Sequence, residues 1–223
     1  MKKLILLILF VGFCSYAKSA ENNIEADIQR QAATKVAILN DFIKNIASKA
    51  ESLEYRDYYR FQALKLFVNN GNNYNIYVTD KNNITHKIEK DGVTMQVTSV
   101  NHKDTTTLLL RNYLYRLARL KYDKVEIQST EVSNIKVSNL YKIRNNEYVC
   151  TCFFKQAFIG YRDGVPKYKD ITEKKIECRI RVEHIAGEPE PDYIILLGDI
   201  TALDTQRIKS NNQDEIIDIL NNL

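Results

Sequence analysis

Apolar residues recur every three or four positions from residue 24 onward, and this spacing predicts a long amphipathic helix. Ser52 is a candidate N-cap for a second helix, since its hydroxyl can accept a hydrogen bond from a free backbone N–H. The sequence Asn69-Asn70-Gly71 ends that helix, because Asn and Gly tolerate left-handed backbone. The apolar stripe of the first helix is Ile24, Ile28, Ala32, Val36, Leu39, Ile43 and Ile46.

A third helix is predicted to start after Asp104, with Thr105 to Thr107 in its first turn. Short strands at 74–79 and 94–100 precede it, separated by turns at 81–83 and 90–92. The apolar stripe of this third helix is Leu110, Tyr113, Leu114, Leu117 and Leu120.

The apolar period changes from helical to alternating at residue 124, which indicates strands. Val125 and Ile127 alternate with polar residues, and 132–143 alternates less regularly. Long strands are predicted at 148–161, 167–184 and 193–202, joined by turns at 144–147, 162–166 and 187–191. Strands joined by short turns in this way form an antiparallel meander.

The strand 167–184 alternates most clearly between apolar and charged residues. One face is therefore predicted to lie in the core and the other in water. The charged face is interpreted as solvated surface, with a docking surface as the alternative. The apolar positions are Ile176, Cys178, Ile180 and Val182, and the charged ones are Lys175, Glu177, Arg179, Arg181 and Glu183.

Helices followed by long antiparallel strands form an α+β order. Residues 21–204 are predicted to be a single domain, because that length suits one hydrophobic core. Residues 205–223 form a polar tail that could contain a short helix after Ser210, either docked or frayed. The apolar residues of the tail are Ile216, Ile217, Ile219 and Leu220.

Residues 1–20 match a secretory signal peptide. A basic start at Lys2 and Lys3 precedes a ten-residue apolar run, Leu4 to Phe13, and small residues follow. This run is too short to span a bilayer, which needs about 20 apolar residues. Export to the periplasm or cell envelope of a Gram-negative bacterium is therefore expected, with a lipid anchor on Cys14 as the less favoured alternative.

Charge and motifs exclude several classes of function. The full chain has 32 basic and 28 acidic residues, and removal of residues 1–20 leaves 29 and 28. Nucleic-acid binding needs a concentrated basic face, so no nucleic-acid partner is expected. No phosphate-binding glycine motif is present, and the 3 histidines lack metal-ligand spacing, so neither a cofactor nor a metal is expected.

The element order over residues 24–202 resembles the nuclear-transport-factor-2-like (ketosteroid-isomerase-like) cone. Residues 137–142, 146–151, 160–164 and 197–202 are similar to uncharacterised exported proteins of this type from Bacteroides-like bacteria. The resemblance implies a strongly curved antiparallel sheet that wraps the N-terminal helices around a pocket. It also implies a possible homodimer through the sheet, and, in family enzymes, a carboxylate or Asp–His pair with a tyrosine donor inside the cone.

No residue of this chain can be matched to that catalytic motif, so the candidates remain weak: Asp170, Asp199 and His184. Asp170 shares its parity with Ile176 and could point inward, where burial would raise its pKa and make it a base. The expected position is instead the hydrated rim. Asp199 is expected to bond a neighbouring backbone or an arginine, and His184 to be solvated. The predicted pocket-lining residues are Tyr148, Phe154, Gln156 and Phe158.

Cys150 and Cys152 share one face of a strand, and Cys178 lies on the core face of the return strand. A hairpin loop centred on Val165 sets Cys152 opposite Cys178, and one centred on Gly164 sets Cys150 there. A two-residue turn at Asp163-Gly164 would need a bulge to keep both apolar faces inward. Cys152 and Cys178 are the candidate pair, with buried free thiols as the expected state.

Together these observations favour an exported, non-catalytic binding module. Its ligand would be a small apolar molecule in the cone or an envelope protein on the sheet. The alternative is an isomerase- or hydrolase-type enzyme that uses an acid in the pocket. A buried Asp beside a Tyr or His in a sizeable pocket would favour the enzyme, and a filled or wholly apolar cone would favour the module.

Signal-peptide cleavage after Ala17 is the expected processing event, because Ser15 and Ala17 then occupy the small-residue positions. Cleavage after Ala20 is the less suitable alternative, because it would put Lys18 at one of those positions. N-terminal sequencing of the exported protein should begin at Lys18. A retained Met1 would contradict export, and a lipid on Cys14 would establish the anchored form.

Overall fold

The computed structural model describes the backbone of residues 2–184, 191–209 and 212–222. Side chains are described from Ile24 onward within those ranges, except at positions 79, 102 and 103. Most of the predicted turn at 187–191 lies outside the described residues. No helix in this described part of the chain combines the length and apolar character needed to cross a membrane.

Four α-helices and ten strands follow one another in the described part of the chain. The helices are α1 (Lys2–Ala47), α2 (Leu53–Leu64), α3 (Leu110–Ala118) and α4 (Gln213–Asn221). The strands are β1 (Tyr74–Thr79), β2 (Thr85–Lys90), β3 (Thr94–Ser99), β4 (His102–Leu109), β5 (Lys124–Ser129), β6 (Lys136–Val137), β7 (Tyr141–Arg144), β8 (Glu147–Arg162), β9 (Val165–Glu183) and β10 (Asp192–Arg207).

Eight strands form the main sheet, in the order β4-β3-β10-β9-β8-β5, with β6 and β7 also paired to β8. Neighbouring strands are antiparallel except β3 and β10, which run parallel where Met95 faces Ile200. Strands β1 and β2 form a separate hairpin. The α+β class is confirmed. The sheet is mixed rather than wholly antiparallel, because β3 pairs with β10 in parallel.

The hydrophobic core lies between α1 and one face of the sheet. The α1 stripe from Ile28 to Ile46 is buried, as its period predicts. On the sheet, the even-numbered residues of β8 and β9 face this stripe. The sheet side of the core includes Cys150, Cys152, Phe154, Ile176, Cys178, Ile180, Ile195, Leu197 and Ile200.

The predicted start of one helix is confirmed, and that of another is wrong. Helix α2 begins as predicted, with Ser52 Oγ accepting from the Tyr55 N–H at 3.3 Å. The predicted start of α3 is wrong, because residues 102–109 are strand β4 and the helix begins only at Leu110. Thr106 and Thr107 pair with β3, where their β-branched side chains favour a strand over a helical turn.

The β8–β9 hairpin closes with a two-residue turn, Asp163-Gly164, whose φ values are 55° and 71°. Glycine and aspartate suit this left-handed backbone. A bulge between Gly160 and Tyr161 then shifts the register so that even-numbered residues face each other. The turn therefore has the two-residue length for which a bulge was predicted, and that bulge is present.

This register gathers the three cysteines of β8 and β9 in the core. Cys150 lies directly opposite Cys178, and Cys152 lies opposite Ile176. The Sγ atoms of Cys152 and Cys178 are nevertheless 3.5 Å apart, diagonally across the pair of strands. All three are free thiols in the structure.

The C-terminal segment packs against the domain through α4. Asn212 caps the helix by accepting from the Asp214 N–H at 3.0 Å, and Thr130 Oγ1 donates to the Leu220 carbonyl at 2.8 Å. Ile216 and Leu220 are buried on the odd-numbered face of the sheet, opposite α1. Their neighbours in this second core are Ala157, Ile159, Ile171 and Ile208.

Truncation of Ile216 tests whether α4 is an integral part of the fold. We expect Ile216→Ala to lower the free energy of unfolding by about 2–4 kcal/mol, because the side chain is buried. Ile217→Ala, one residue along and 40% exposed, is the matched control and should cost well under half as much. Urea unfolding measures both values, and equal costs would show that α4 does not hold this packing in solution.

Candidate functional site

A cavity of about 350 Å³ opens between α3, the strand β3 and the hairpin end of β8 and β9. It lies on the even-numbered face of the sheet, the same face that α1 covers elsewhere. Apolar side chains form most of its wall, among them Met95, Val97, Leu108, Leu117, Leu120 and Phe158. A volume in this range suits a small-molecule ligand.

Three aromatic rings in edge-to-face contact line one side of the cavity. Phe158 lies between Tyr122 and Tyr168, with ring centroids 5.9 Å from each. Gly160 allows this arrangement, because a Cβ there would come within 2.7 Å of the Tyr122 ring. The rings provide a flat apolar surface and, through the tyrosines, hydroxyl groups at its edge.

Asp170 brings a buried carboxyl group into the cavity. The side chain is only 5% exposed, and the Tyr168 hydroxyl donates to its Oδ2. The Tyr168 oxygen also lies 3.0 Å from Ser99 Oγ and accepts from the Val100 N–H at 3.3 Å. Burial raises the pKa of Asp170, against the opposing effects of the Tyr168 hydrogen bond and the charge of Lys174.

Two tyrosine hydroxyls near this acid are held in their protonated form. Burial, followed by the hydrogen bond to Asp170, raises the pKa of Tyr168 to about 12. Burial and the negative charge of Asp170 likewise raise the pKa of Tyr113 to about 12. Both groups can therefore donate hydrogen bonds at neutral pH.

Lys174 brings a buried amine into the same cavity. The residue is 7% exposed, and its Nζ donates to Gln156 Oε1 at 2.7 Å. The Gln156 amide in turn donates to Asn40 Oδ1 of α1 at 3.4 Å. Burial lowers the pKa of Lys174 to about 8, against the opposing charge of Asp170. An amine and an acid thus lie four residues apart on the same face of β9.

The structure brings some of the predicted site residues together and separates others. Gln156, Phe158 and Asp170 line the cavity. Tyr148 and Phe154 pack in the core along β8 and are not among the residues that line it. The expected position of Asp170 at a hydrated rim is wrong, because the residue is buried on the cavity wall between α3, β3 and the hairpin end of the sheet.

The other two acid–base candidates lie elsewhere. Asp199 sits in a bulge of β10, where its Oδ1 accepts from the Thr94 N–H at 2.8 Å and its Oδ2 pairs with Lys90. This carboxylate ties β3 to β10, with a lysine in place of the expected arginine. His184 lies exposed at the end of β9, outside the cavity.

Sequence reasoning missed Lys174 and Tyr168. Both carry the same even parity as Asp170 and Ile176, so alternation alone places them on the inward face. A lysine at an inward position of an otherwise apolar strand face was the available signal. It was concealed by its neighbours, since 173–175 reads as a continuous charged run.

A second hollow, of about 430 Å³, lies between α1, residues 127–132 and α4. Its charged side chains, Asp41, Lys44 and Glu131, are exposed. It therefore lacks the buried acid and amine that distinguish the first cavity. Among the described residues, no group of three or more His, Cys, Asp or Glu side chains could hold a metal ion.

Comparisons with protein-family models, with curated proteins and with solved structures find no match to this chain.

The buried Lys174 amine predicts a specific dependence of stability on pH. Its pKa of about 8 in the folded protein lies below the usual 10.5, so the unfolded chain binds more protons between these values. The destabilisation of the fold that results from burying charged Lys174 is complete below pH 8, and it disappears as the pH rises to 10.5. The wild-type free energy of unfolding should therefore rise by about 2–3 kcal/mol relative to Lys174→Met between pH 7 and pH 10.

Lys175→Met is the matched control, because Lys175 is exposed on the opposite face of the same strand. Denaturant unfolding at several pH values measures all three proteins. If Lys174→Met and the wild type ran parallel from pH 7 to pH 10, Lys174 would not be buried as an amine.

Proposed function

We propose that this protein binds a small, mainly apolar molecule whose polar group faces Asp170 and Lys174. The observation that carries the proposal is the combination of an apolar cavity of about 350 Å³ with two convergent, buried ionisable groups. Binding sites for small molecules typically have apolar walls and a few placed polar groups that orient the ligand.

The polar group of the ligand follows from the groups that would meet it. Lys174 offers N–H donors beyond the one directed at Gln156, and Asp170 offers a second carboxyl oxygen beside the one bonded to Tyr168. An oxygen-bearing head group can accept from Lys174 and Tyr113 while its apolar body contacts Val97, Leu117 and Phe158. A wholly apolar ligand would give no further partner to the remaining N–H groups of Lys174 or to the second carboxyl oxygen of Asp170.

The proposed setting is outside the cytoplasm, in the periplasm or cell envelope. The signal-peptide pattern of residues 1–20 supports this part of the proposal. The alternative of a partner protein on the outer sheet face has less support. Its charged row is partly satisfied internally, by the pairs Glu177–Arg179 and Arg181–Glu183 at 2.7 Å and 2.9 Å.

A second candidate function is proton transfer on the bound molecule. The specific observation that favours it is Asp170, a buried acid with a raised pKa that accepts from Tyr168 inside the cavity. A carboxyl group in such surroundings can act as a general base whose pKa is closer to neutrality than that of a hydrated aspartate.

A neutral apolar ketone, 2-acetylnaphthalene, can test both candidates. Val97→Phe should weaken its binding at least about tenfold by filling the cavity, since each 1.4 kcal/mol of lost contact is a factor of ten. Val149→Phe is the matched control, being another half-buried strand valine that lies outside the cavity lining. Fluorescence titration measures the affinities, and equal binding by both variants would place the ligand elsewhere.

The same probe in D₂O separates enzyme from binding module. Deuterium incorporation at the ketone methyl group that disappears in Asp170→Asn would support proton transfer. Binding without incorporation would support the module.

A further inference from the structure

The amine of Lys174 combines burial with access to a cavity. The side chain is almost inaccessible to bulk solvent, yet it contributes to the wall of the 350 Å³ space. Its Nζ is held at 2.7 Å by Gln156 Oε1, a neutral amide oxygen rather than a carboxylate. A neutral acceptor orients the amine without stabilising its charged form as strongly as an ion pair would.

We propose that Lys174 is a nucleophile for carbonyl compounds, and that it forms an imine with an apolar aldehyde or ketone held in the cavity. This inference rests on the proposed function, because the cavity must first bind the molecule. It names the substrate class of that site, a carbonyl group attached to an apolar body.

The step is balanced without any further reactant. The lone pair of neutral Nζ forms a bond to the carbonyl carbon, and the carbonyl π pair moves to oxygen, which takes a proton. The C–O bond of this carbinolamine then breaks, the oxygen leaves as water, and the nitrogen lone pair forms the C=N bond. The two protons of that water replace the two that Nζ gives up, one as the carbinolamine forms and one as the imine forms. One carbonyl compound and one amine give one imine and one water, with no oxidation or reduction.

The surroundings of Lys174 suit each part of this step. The pKa of about 8 gives the amine a substantial neutral fraction near physiological pH, where an exposed lysine is almost wholly charged. Asp170 lies four residues away on the same strand face, and its charge acts on the amine against the effect of burial. The rings of Phe158 and Tyr122 provide an apolar surface for the body of the carbonyl compound.

The competing interpretation is that Lys174 only links β9 to α1 through Gln156 and Asn40. In that role the amine would serve the packing of the domain and would not react faster than other lysines. Reactivity towards a carbonyl probe distinguishes the two roles, because a purely structural lysine gives no reason for selective labelling.

The test treats the mature protein with 2-naphthaldehyde and sodium cyanoborohydride, which reduces an imine to a stable secondary amine. Peptide mass mapping of the wild type then locates the label, so the main result needs no variant to fold. We expect Lys174 to be labelled at least about tenfold faster than exposed Lys175 at pH 8. Lys174→Met and Lys174→Arg should lose this label, and Lys175→Met should keep it.

Binding of 2-naphthalenemethanol, which has the same body but no carbonyl group, is measured in parallel. If the alcohol binds and only exposed lysines are labelled, the imine proposal fails while the proposed function stands. If the alcohol does not bind and Lys174 is unlabelled, both fail. Selective labelling of Lys174 that the alcohol suppresses by competition would support both.

Discussion

The register of the β8–β9 hairpin is the constraint on which the rest of the structure depends. Its two-residue turn alone would oppose even-numbered residues with odd-numbered ones, and one apolar face would then point into solvent. The bulge at Gly160 and Tyr161 removes this conflict within a few residues of the turn. Every inward position beyond it, from Phe158 and Asp170 to Cys150 and Cys178, follows from that correction.

A second bulge corrects the register of the next strand, β10. Between Leu197 and Ile200 the register of β10 against β9 shifts, so that both apolar side chains face the core. The residue displaced by this bulge, Asp199, uses its carboxylate to accept from the Thr94 N–H. The irregularity that aligns the core therefore also attaches β3, and β3 supplies one wall of the cavity.

Sequence periodicity predicted what depends on one element at a time. The α1 stripe, the Ser52 cap and the inward row of β9 follow from helix and strand geometry alone. The start of α3 was predicted wrongly, because Thr106 and Thr107 pair with β3, and that pairing is not visible in the periodicity of their own segment. The family resemblance and the cone-like curvature of the sheet that it implies stay predictions.

The burial of Asp170 was also beyond periodicity. An even or odd residue number predicts which face of the sheet a side chain occupies, but it does not predict which other element covers that face. The cover at the hairpin end comes from α3 and β3, and neither element adjoins β9 along the chain. Lys174 differs, since its even parity alone places it on the inward face beside Ile176, although a lysine is seldom buried.

The cavity has a simple origin in the lengths of the elements. Strands β8 and β9 have 16 and 19 residues, and at about 3.3 Å per residue they extend well beyond the buried stripe of α1 from Ile28 to Ile46, which spans about 27 Å. Helix α1 fills the space over the cysteine end of the sheet, whereas α3 has only 9 residues, or about 14 Å, over the hairpin end. The uncovered space between α3 and the sheet is lined by whatever points inward there, which includes Asp170 and Lys174. Burial in this space disfavours the charged forms of Asp170 and Lys174 and shifts their pKa values. Their reactivity therefore differs from that of the same residues on the surface.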